Sequence, residues 1–579
     1  MAEIIDRSFS EQDAATLTGA GLHPVLARVY AARGIAAPAQ LDLSLRQLLS
    51  PTGMRNLPEA ACLLADAIAQ GKRLLIVGDY DCDGATACAV GMLGLKALGA
   101  SVDYLVPNRF DFGYGLTPEI VRLAAARRPD ILITVDNGIG SIEGVAEANR
   151  LGMRVLVTDH HLPASVSPAA ACIVNPNQHG CSFASKHLAG VGVMFYVLLA
   201  LRAELRRRGA FTGKDEPHLA ALLDLVALGT VADVVRLDDN NRVLVRQGVE
   251  RIRAGRARPG IAALLQVAGR DPARASTYEL GFAVGPRLNA AGRLSDITLG
   301  IECLLAEDPA RAEQLARQLD ELNRERRGIE SDMQASALVH LEEIDPGSAW
   351  GLALYRAEWH QGVIGILAAR LRERFHRPVI AFAPGNDREL KGSGRSIAGL
   401  HLRDCLDRLD KQHPGLLLRF GGHAAAAGLA IRREDFERFR DAFDATLRQM
   451  LTLDDLQQRI ETDGQLGPAD IALPLAQQIA DGVWGQGFAV PRFRGRFRVC
   501  DQRAVGGRHL KLRLAPVSGM PAALPHDAVM FGQDTPLAET IEAVYRLDIN
   551  EWNGSRSVQL MLDHVEASTR DTVARAPSA

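Results

Sequence analysis

The chain has 579 residues, 66 Lys+Arg against 69 Asp+Glu for a formal charge of -3, 47% hydrophobic and 23% charged residues. That length predicts several domains of ordinary globular character, and a balanced total charge leaves the question of an acidic or basic partner to the local distribution. Eight cysteines without a CxxC pair exclude a disulfide or zinc framework, and the longest apolar run, Val191 to Leu201, is too short for a membrane span, so a soluble, reduced, cytosolic protein without membrane attachment is expected.

A helical segment is predicted over 1–50. Between about 70 and 160, apolar runs alternate with helix-like stretches: LLIV (Leu74–Val77), YLV (Tyr104–Val106), ILITV (Ile131–Val135) and VLVT (Val155–Thr158). Thr117 before Pro118 is an N-cap followed by proline at the first helical position. Fully apolar strands separated by helices predict a parallel sheet covered on both faces, with the functional site beyond the carboxyl ends of its strands. A long helix is predicted from Asp308 to about Ile344, with Leu315, Leu319, Leu322, Ile329 and Met333 on one side and Asp345-Pro346-Gly347 as its stop. At ~1.5 Å per residue it would be about 50 Å long, a connector between domains. A second α/β segment follows to about Met450. The last part turns to strands: FRGRFRV (Phe493–Val499) and RHLKLRL (Arg508–Leu514) alternate around Gly506-Gly507, and Asn553-Gly554 signals another hairpin. Short hairpins in this stretch predict a small barrel, and the tail after Ala567 reads as disordered.

The strand ends carry the chemistry. LLIV leads into Asp79, Asp81 and Asp83, ILITV into Asp136, and VLVT into Asp159, His160 and His161, while a later apolar helix-like run ends in a loop with Asp233. So many carboxylates at one sheet edge repel one another unless divalent cations lie among them. Oxygen ligands with an imidazole suit Mn²⁺ or Mg²⁺ better than zinc, and the ligand count predicts two ions, the device used for in-line displacement at phosphorus. Any one aspartate here can be a helix N-cap, and Asp159 reads as a cap or as the residue that orients a histidine. Downstream, GSGRSI places Ser393 and Arg395 in a glycine-rich loop suited to gripping phosphate, with a tight packed turn as the bland alternative. GGHAAAAG offers a second such loop around His423. In the barrel, Arg492, Arg494, Arg496 and Arg498 fall on one strand face, and Lys511 and Arg513 on one face of the next, a basic surface for a single strand or, more blandly, a solvated outer face.

VGDYDCDGATA, VDNG, DHH and GTVADVV, in that order, resemble the four motifs of the DHH phosphoesterase superfamily, and VPNRFDFGYGL, PRLNAAGRL, EWHQGVIGILAARL, GSGRSI and GGHAAAAG are similar to its bacterial single-strand-specific exonucleases. The resemblance covers nearly the whole chain. It implies an α/β fold: an N-terminal segment (1–50), a catalytic DHH domain (51–305), a connector helix (306–346), a DHH-associated domain (347–452), an OB-fold (453–567) and a tail (568–579). It implies metal ligation by Asp81, Asp83, Asp136, His160 and Asp233 with Asp79 near the second ion, and His161 on the scissile phosphate. A pyrophosphate-hydrolysing relative has a histidine where this chain has Val77, so the second ion is held differently here. Arg109, Ser393 and Arg395 would read a 5′-terminal phosphate, with Arg287, Asn289 and His423 also binding substrate. The implied activity is 5′→3′ hydrolysis of single-stranded DNA from a free 5′ end to 5′-mononucleotides, in recombination and repair, by a monomer working with single-strand-binding protein and a repair helicase. The rival readings are a DHH phosphodiesterase for nanoRNA or cyclic dinucleotides, which lacks the basic barrel, and a non-catalytic scaffold, which needs none of the acidic positions filled.

Overall fold

The computed structural model describes residues 2–106, 115–213, 215–341, 348–385, 388–507, 509–517, 524–552 and 554–567, and no side chain of residues 334–341 or 552. Arg109, most of VPNRFDFGYGL, the predicted Asp345-Pro346-Gly347 stop, Arg508, Asn553 and the tail lie outside the described residues. Two compact units emerge: one comprises 4–286, 301–313 and 461–579, the other 1–3, 287–300 and 314–460. Among the described residues no helix is long and apolar enough to cross a membrane.

The first unit holds the predicted parallel sheet. In chain order its elements are α1 (Leu57–Ala69), β1 (Arg73–Gly78), α2 (Cys82–Ala97), β2 (Ser101–Leu105), α3 (Pro118–Ala125), β3 (Ile131–Val135), α4 (Ile142–Arg150), β4 (Arg154–Thr158), β5 (Cys172–Val174), α5 (Gly190–Arg207) and α6 (Leu223–Ala232). The strand order is β2-β1-β3-β4-β5, and every neighbouring pair is parallel. Both faces of β1, β3 and β4 are covered, which is why their runs are apolar, whereas the edge strand β2 carries Ser101 and Asp103 and is exposed or half-buried. On one face Leu75, Val77, Leu132, Val155 and Val157 pack with Ile120, Val121 and Ala124 of α3 and Val145 and Ala148 of α4. On the other, Gly91 of α2 lets the helix backbone approach Ile76, and a Cβ there would stand 2.7 Å from its Cδ1. The register is decisive for function. Gly78 lies opposite Val135, and Val135 opposite Thr158, so β1, β3 and β4 end level and side by side.

The same unit carries a closed barrel of β-strands beginning at Phe493, Ser555 being the start of the last. In the second unit, α7 (Gly285–Leu294, its first two residues in the first unit) and α8 (Pro309–Leu341, its first five residues in the first unit) precede a mixed sheet. Asp308 caps α8 by accepting from the N–H groups of Ala310 (3.3 Å) and Arg311 (3.1 Å). Leu315, Leu319 and Met333 are buried along one side of this helix, as its pattern predicts. The sheet contains β6 (Leu352–Tyr355), β7 (Val379–Pro384), β8 (Glu389–Arg395), β9 (Arg419–Gly422) and β10 (Ala426–Arg432) in the order β9-β10-β8-β7-β6. Here the sequence reading needs correcting, because Gly392 to Arg395 are not a loop. They are ladder residues of β8, with Ser393 opposite both Ala381 and Gly428. The glycines serve packing: a Cβ on Gly392 would stand 2.6 Å from the Phe382 ring. GGHAAAAG is the hairpin between β9 and β10, with exposed His423 in its turn.

The barrel strands are β11 (Phe493–Val505), β12 (His509–Pro516), β13 (His526–Phe531), β14 (Thr540–Trp552) and β15 (Ser555–Ala567). The sheet closes in the order β11-β12-β13-β15-β14, with β13 and β15 parallel and the other pairs antiparallel. Phe493, Phe497, Leu510, Leu512 and Leu514 fill the interior, matching the predicted alternation. Gly506 and Gly507 have φ of 61° and 68°, as the first predicted turn requires, and Gly554 of the second has φ of 77°.

Candidate metal centre

Because β1, β3 and β4 end level, the residues that follow them meet. Asp136 N–H still bonds Thr158 O (3.1 Å) and Asp159 N–H bonds Val174 O (3.1 Å), which extends the ladder by one residue and keeps both carboxylates at the rim. Asp79, Asp81 and Asp136 bring one ligand atom each into a group within 4.8 Å, as do Asp83, His160 and Asp233, and Asp136, His160 and His161. His160 Nε2 stands 3.0 Å from Asp136 Oδ1, 3.6 Å from Asp233 Oδ2 and 3.9 Å from Asp83 Oδ2. Asp79, Asp81, Asp83, Asp136, His160, His161 and Asp233 therefore converge, and Asp159 joins them through His161.

Each has a local reason for its pose. Asp81 is the N-cap of α2, accepting from Gly84 N–H at 3.0 Å, and the same side chain belongs to a group that could hold an ion. Asp83 is buried within α2 and takes the N–H groups of Gly190 (2.6 Å) and Val191 (2.9 Å), where the amino end of α5 faces it. Asp136 has φ of 62° and Val234, beside Asp233, has φ of 61°. A left-handed valine is costly, and such strain concentrates at functional sites. Asp233 itself is the C-cap of α6, which extends to Ala232, so the expected loop is a helix end. Asp159 is the orienting residue: it accepts from Ile139 N–H (2.9 Å), His160 N–H (2.7 Å) and His161 N–H (3.1 Å), and lies 2.8 Å from His161 Nδ1.

The electrostatics follow. Burial, reinforced by Asp81, pushes the Asp83 carboxyl up to about 7 despite the two α5 N–H groups. Burial and the surrounding carboxylates push Asp136 and Asp233 well above the usual range. Burial would lower His161, but the Asp159 hydrogen bond and the charges of Asp159, Asp79 and Asp81 prevail and raise it to about 9. Asp159 stays below its ordinary value because His161, His160 and the Ile139 N–H outweigh its burial. A rim of oxygen donors that resist ionisation, with one imidazole among them, fits hard divalent cations.

Several supports had no motif to announce them. Asn177 and Asn175 donate side-chain N–H groups to the carbonyls of His160 (2.6 Å) and His161 (2.9 Å), fixing that turn. Gly190 sits so close that a Cβ would stand 2.6 Å from Asp136 Cβ. In the second unit, Arg287 of α7 is held by Asp320 of α8 (2.7 Å) and is 12% exposed, which gives it a structural tie whatever else it does. Asn289 lies on the same helix. The Arg395 guanidinium donates to Gly394 O (2.8 Å) and to Ser393 Oγ (3.3 Å), so these two predicted residues are neighbours. On the barrel the arginine face is partly neutralised. Arg494 forms a two-pronged pair with Asp6 (2.8 and 2.9 Å) and Arg492 pairs with Asp563 (3.2 Å). Arg498 and Arg513 are exposed, and Arg496 and Lys511 half-buried.

Comparison with known proteins agrees with this geometry. The DHH family N-terminal domain matches residues 73–230, the DHHA1 domain residues 349–449, and the RecJ OB domain residues 462–564. The chain is 51% identical to the single-stranded-DNA-specific exonuclease RecJ of Dickeya dadantii over 94% of this chain and 96% of that one. It is 50% identical to the Escherichia coli protein of the same name over the same shares. The crystal structure of RecJ from Thermus thermophilus in complex with Mn²⁺ superimposes with a TM-score of 0.80 at 30% identity, covering 100% of this chain and 80% of that one. Its complex with Mg²⁺ gives a TM-score of 0.74 at 29% identity, covering 100% and 78%.

Proposed function

Since the chain belongs to the RecJ family of DHH phosphoesterases, we propose that it degrades single-stranded DNA 5′→3′, releasing 5′-mononucleotides in recombination and repair. It is a metal-dependent nuclease, and the convergence of five aspartates and His160 on one sheet rim carries that reading. Asp81, Asp83, Asp136, His160 and Asp233 would hold Mn²⁺ or Mg²⁺, with Asp79 toward a second ion. Paired ions supply Lewis-acid stabilisation of the charge on attacking and leaving oxygens. The chain's own contribution is placement. The strand ends and the α5 amino terminus set the ligand carboxylates in advance, so little reorganisation is left for the reaction. His161, cationic at neutral pH through Asp159, would sit against the scissile phosphate and offset its charge. Arg109, Ser393 and Arg395 would read the 5′-phosphate, with Arg287, Asn289 and His423 lining the strand. Arg492, Arg494, Arg496, Arg498, Lys511 and Arg513 would face the DNA backbone, Arg498 and Arg513 most directly. Free cysteines at all eight positions support a cytoplasmic site of action. A monomer working beside single-strand-binding protein and a helicase completes the reading. The closed barrel favours a polynucleotide over a dinucleotide substrate.

The test is digestion of 5′- and 3′-labelled oligonucleotides, single- and double-stranded, with Mn²⁺ and with EDTA. Single strands should yield mononucleotides first from the 5′ label, and only with metal. Release from the 3′ label first, or activity undiminished in EDTA, would overturn the reading.

A pH effect follows from the raised carboxyls. Asp83, Asp136 and Asp233 bind in the folded state protons that the unfolded state releases near pH 4, so metal-free stability falls as pH rises from there, for Asp83 through about 7. Cations that neutralise these groups should recover it. The Mn²⁺-induced rise in Tm is therefore expected to be larger at pH 8 than at pH 5.5, read by differential scanning calorimetry. An equal or smaller rise at pH 8 would contradict the cluster's role.

A further inference from the structure

Residues 270–286 belong to none of the acidic motifs, yet they pack against the helix that ends in Asp233. Ser276 and Glu279 form a reciprocal cap: Glu279 Oε2 accepts from Ser276 N–H (3.0 Å) and from Ser276 Oγ–H (2.6 Å), while Ser276 Oγ accepts from Tyr278 N–H (3.1 Å). The chain then runs through a π-helical turn, Glu279–Val284, a rare form that is frequent at functional sites. Gly281 and Gly285 allow this turn to lie against α6. A Cβ on them would stand 3.2 Å from Val231 Cγ1 and 3.1 Å from Ala232 Cβ. The outer side presents two aromatic rings to solvent. Tyr278 is 48% and Phe282 73% exposed, and their rings stack with centroids 4.9 Å apart and planes at 29°. Arg270 Cζ lies 6.0 Å from the Tyr278 centroid. By contrast, the stacked pairs Phe439–Phe443 and Trp484–Phe488 are buried, where their burial explains them. Arg274, four residues before Tyr278, is ion-paired with Glu551 of β14, so this segment also touches the barrel.

We propose that Tyr278 and Phe282 form a base-stacking platform for the single strand between the barrel and the Asp233 end of the metal centre. The proposal rests on the single-stranded-DNA reading above. A rigid, solvent-facing ring pair beside arginine is the chemistry that holds unpaired bases without regard to sequence, since every base offers a π-face. Its position against α6 would fix the strand relative to Asp233, and Arg270 would accompany the backbone.

The test uses a 5′-phosphorylated single-stranded 20-mer and versions with one abasic site moved stepwise along it. KM and kcat are measured with Mn²⁺ for the full chain, for Y278A/F282A, and for Y278F/F282Y. With the wild-type chain, an abasic site at one register should raise KM about tenfold, within the range expected for loss of a stacked base. Y278A/F282A should show that rise already on the intact strand and no further rise at that register, the change lying in KM rather than kcat. Y278F/F282Y should behave as wild type. Because both rings are exposed, melting temperature should not move, and equal melting curves separate a binding defect from misfolding. A KM for Y278A/F282A within twofold of wild type, or full sensitivity to the abasic site in that variant, would overturn the platform while leaving the exonuclease reading intact. Failure of the wild-type chain to digest any single strand would instead overturn the exonuclease reading, and the platform with it.

Discussion

Asp136→Ala is expected to abolish digestion of single-stranded DNA, by at least ~10³-fold in kcat, more than removal of a single transition-state hydrogen-bond donor costs. Asp136 is the one carboxylate common to two of the ligand groups, with Asp79 and Asp81 on one side and His160 and His161 on the other. Removing it therefore weakens both candidate ion positions at once. DNA binding, read by fluorescence anisotropy in EDTA, should stay within about threefold, because a carboxylate lost beside a phosphate chain costs no attraction. The metal-free variant should melt no lower than the wild type at pH 8. Its buried carboxyl is forced toward protonation by its neighbours, and deleting such a group relieves repulsion that only a cation otherwise offsets. A variant that digests single strands at the wild-type rate would remove Asp136 from the reaction.

Gly190→Ala should be nearly as damaging, although glycine has no chemistry to offer. A methyl group there would stand 2.6 Å from Asp136 Cβ and 2.9 Å from both its Cα and Oδ1. Backbone cannot yield as a flexible side-chain tip can, so either β3 or the start of α5 must shift. Both alternatives harm the site: the first moves Asp136, and the second withdraws the Gly190 and Val191 N–H groups from Asp83. A loss of activity of about 100-fold is expected, at the upper end of what disturbed ligand support produces. Stability should fall by ~1–3 kcal/mol, the usual cost of overpacking. Isothermal titration with Mn²⁺ should show weaker binding than wild type. Wild-type Mn²⁺ affinity and turnover in Gly190→Ala would show that the close approach is not needed.

Much of this centre was open to inspection in the chain alone, for local reasons. A strand buried on both faces must be apolar along its length, so β1, β3 and β4 stand out as uninterrupted runs, and an aspartate directly after each is visible as an edge feature. The alternation in β11 and β12 reports one wet and one dry face, and Gly506-Gly507 reports a turn with positive φ. Asp159 was legible only as a choice between cap and orienting group. Its four contacts, three of them to backbone N–H groups, decide for orientation.

Other features depend on partners far along the chain. GSGRSI reads as a phosphate loop because glycines usually mark loops, but pairing with the strands that carry Phe382 and Leu429, which crowd Gly392, makes it part of a sheet. Arg494 reads as free to bind DNA, whereas Asp6, 488 residues away, holds it. Tyr278 and Phe282 belong to no motif read from the sequence, and only the fold shows that they face water.

By itself the sequence determined which side chains could be ligands, because residue type sets charge and donor chemistry, and which segments are strands, because period and apolarity are local. Only the tertiary structure decided that three strands end level, that α5 directs its amino end at Asp83, and that Gly190 leaves Asp136 its place. Register and close approach are relations between segments, and no single segment contains them.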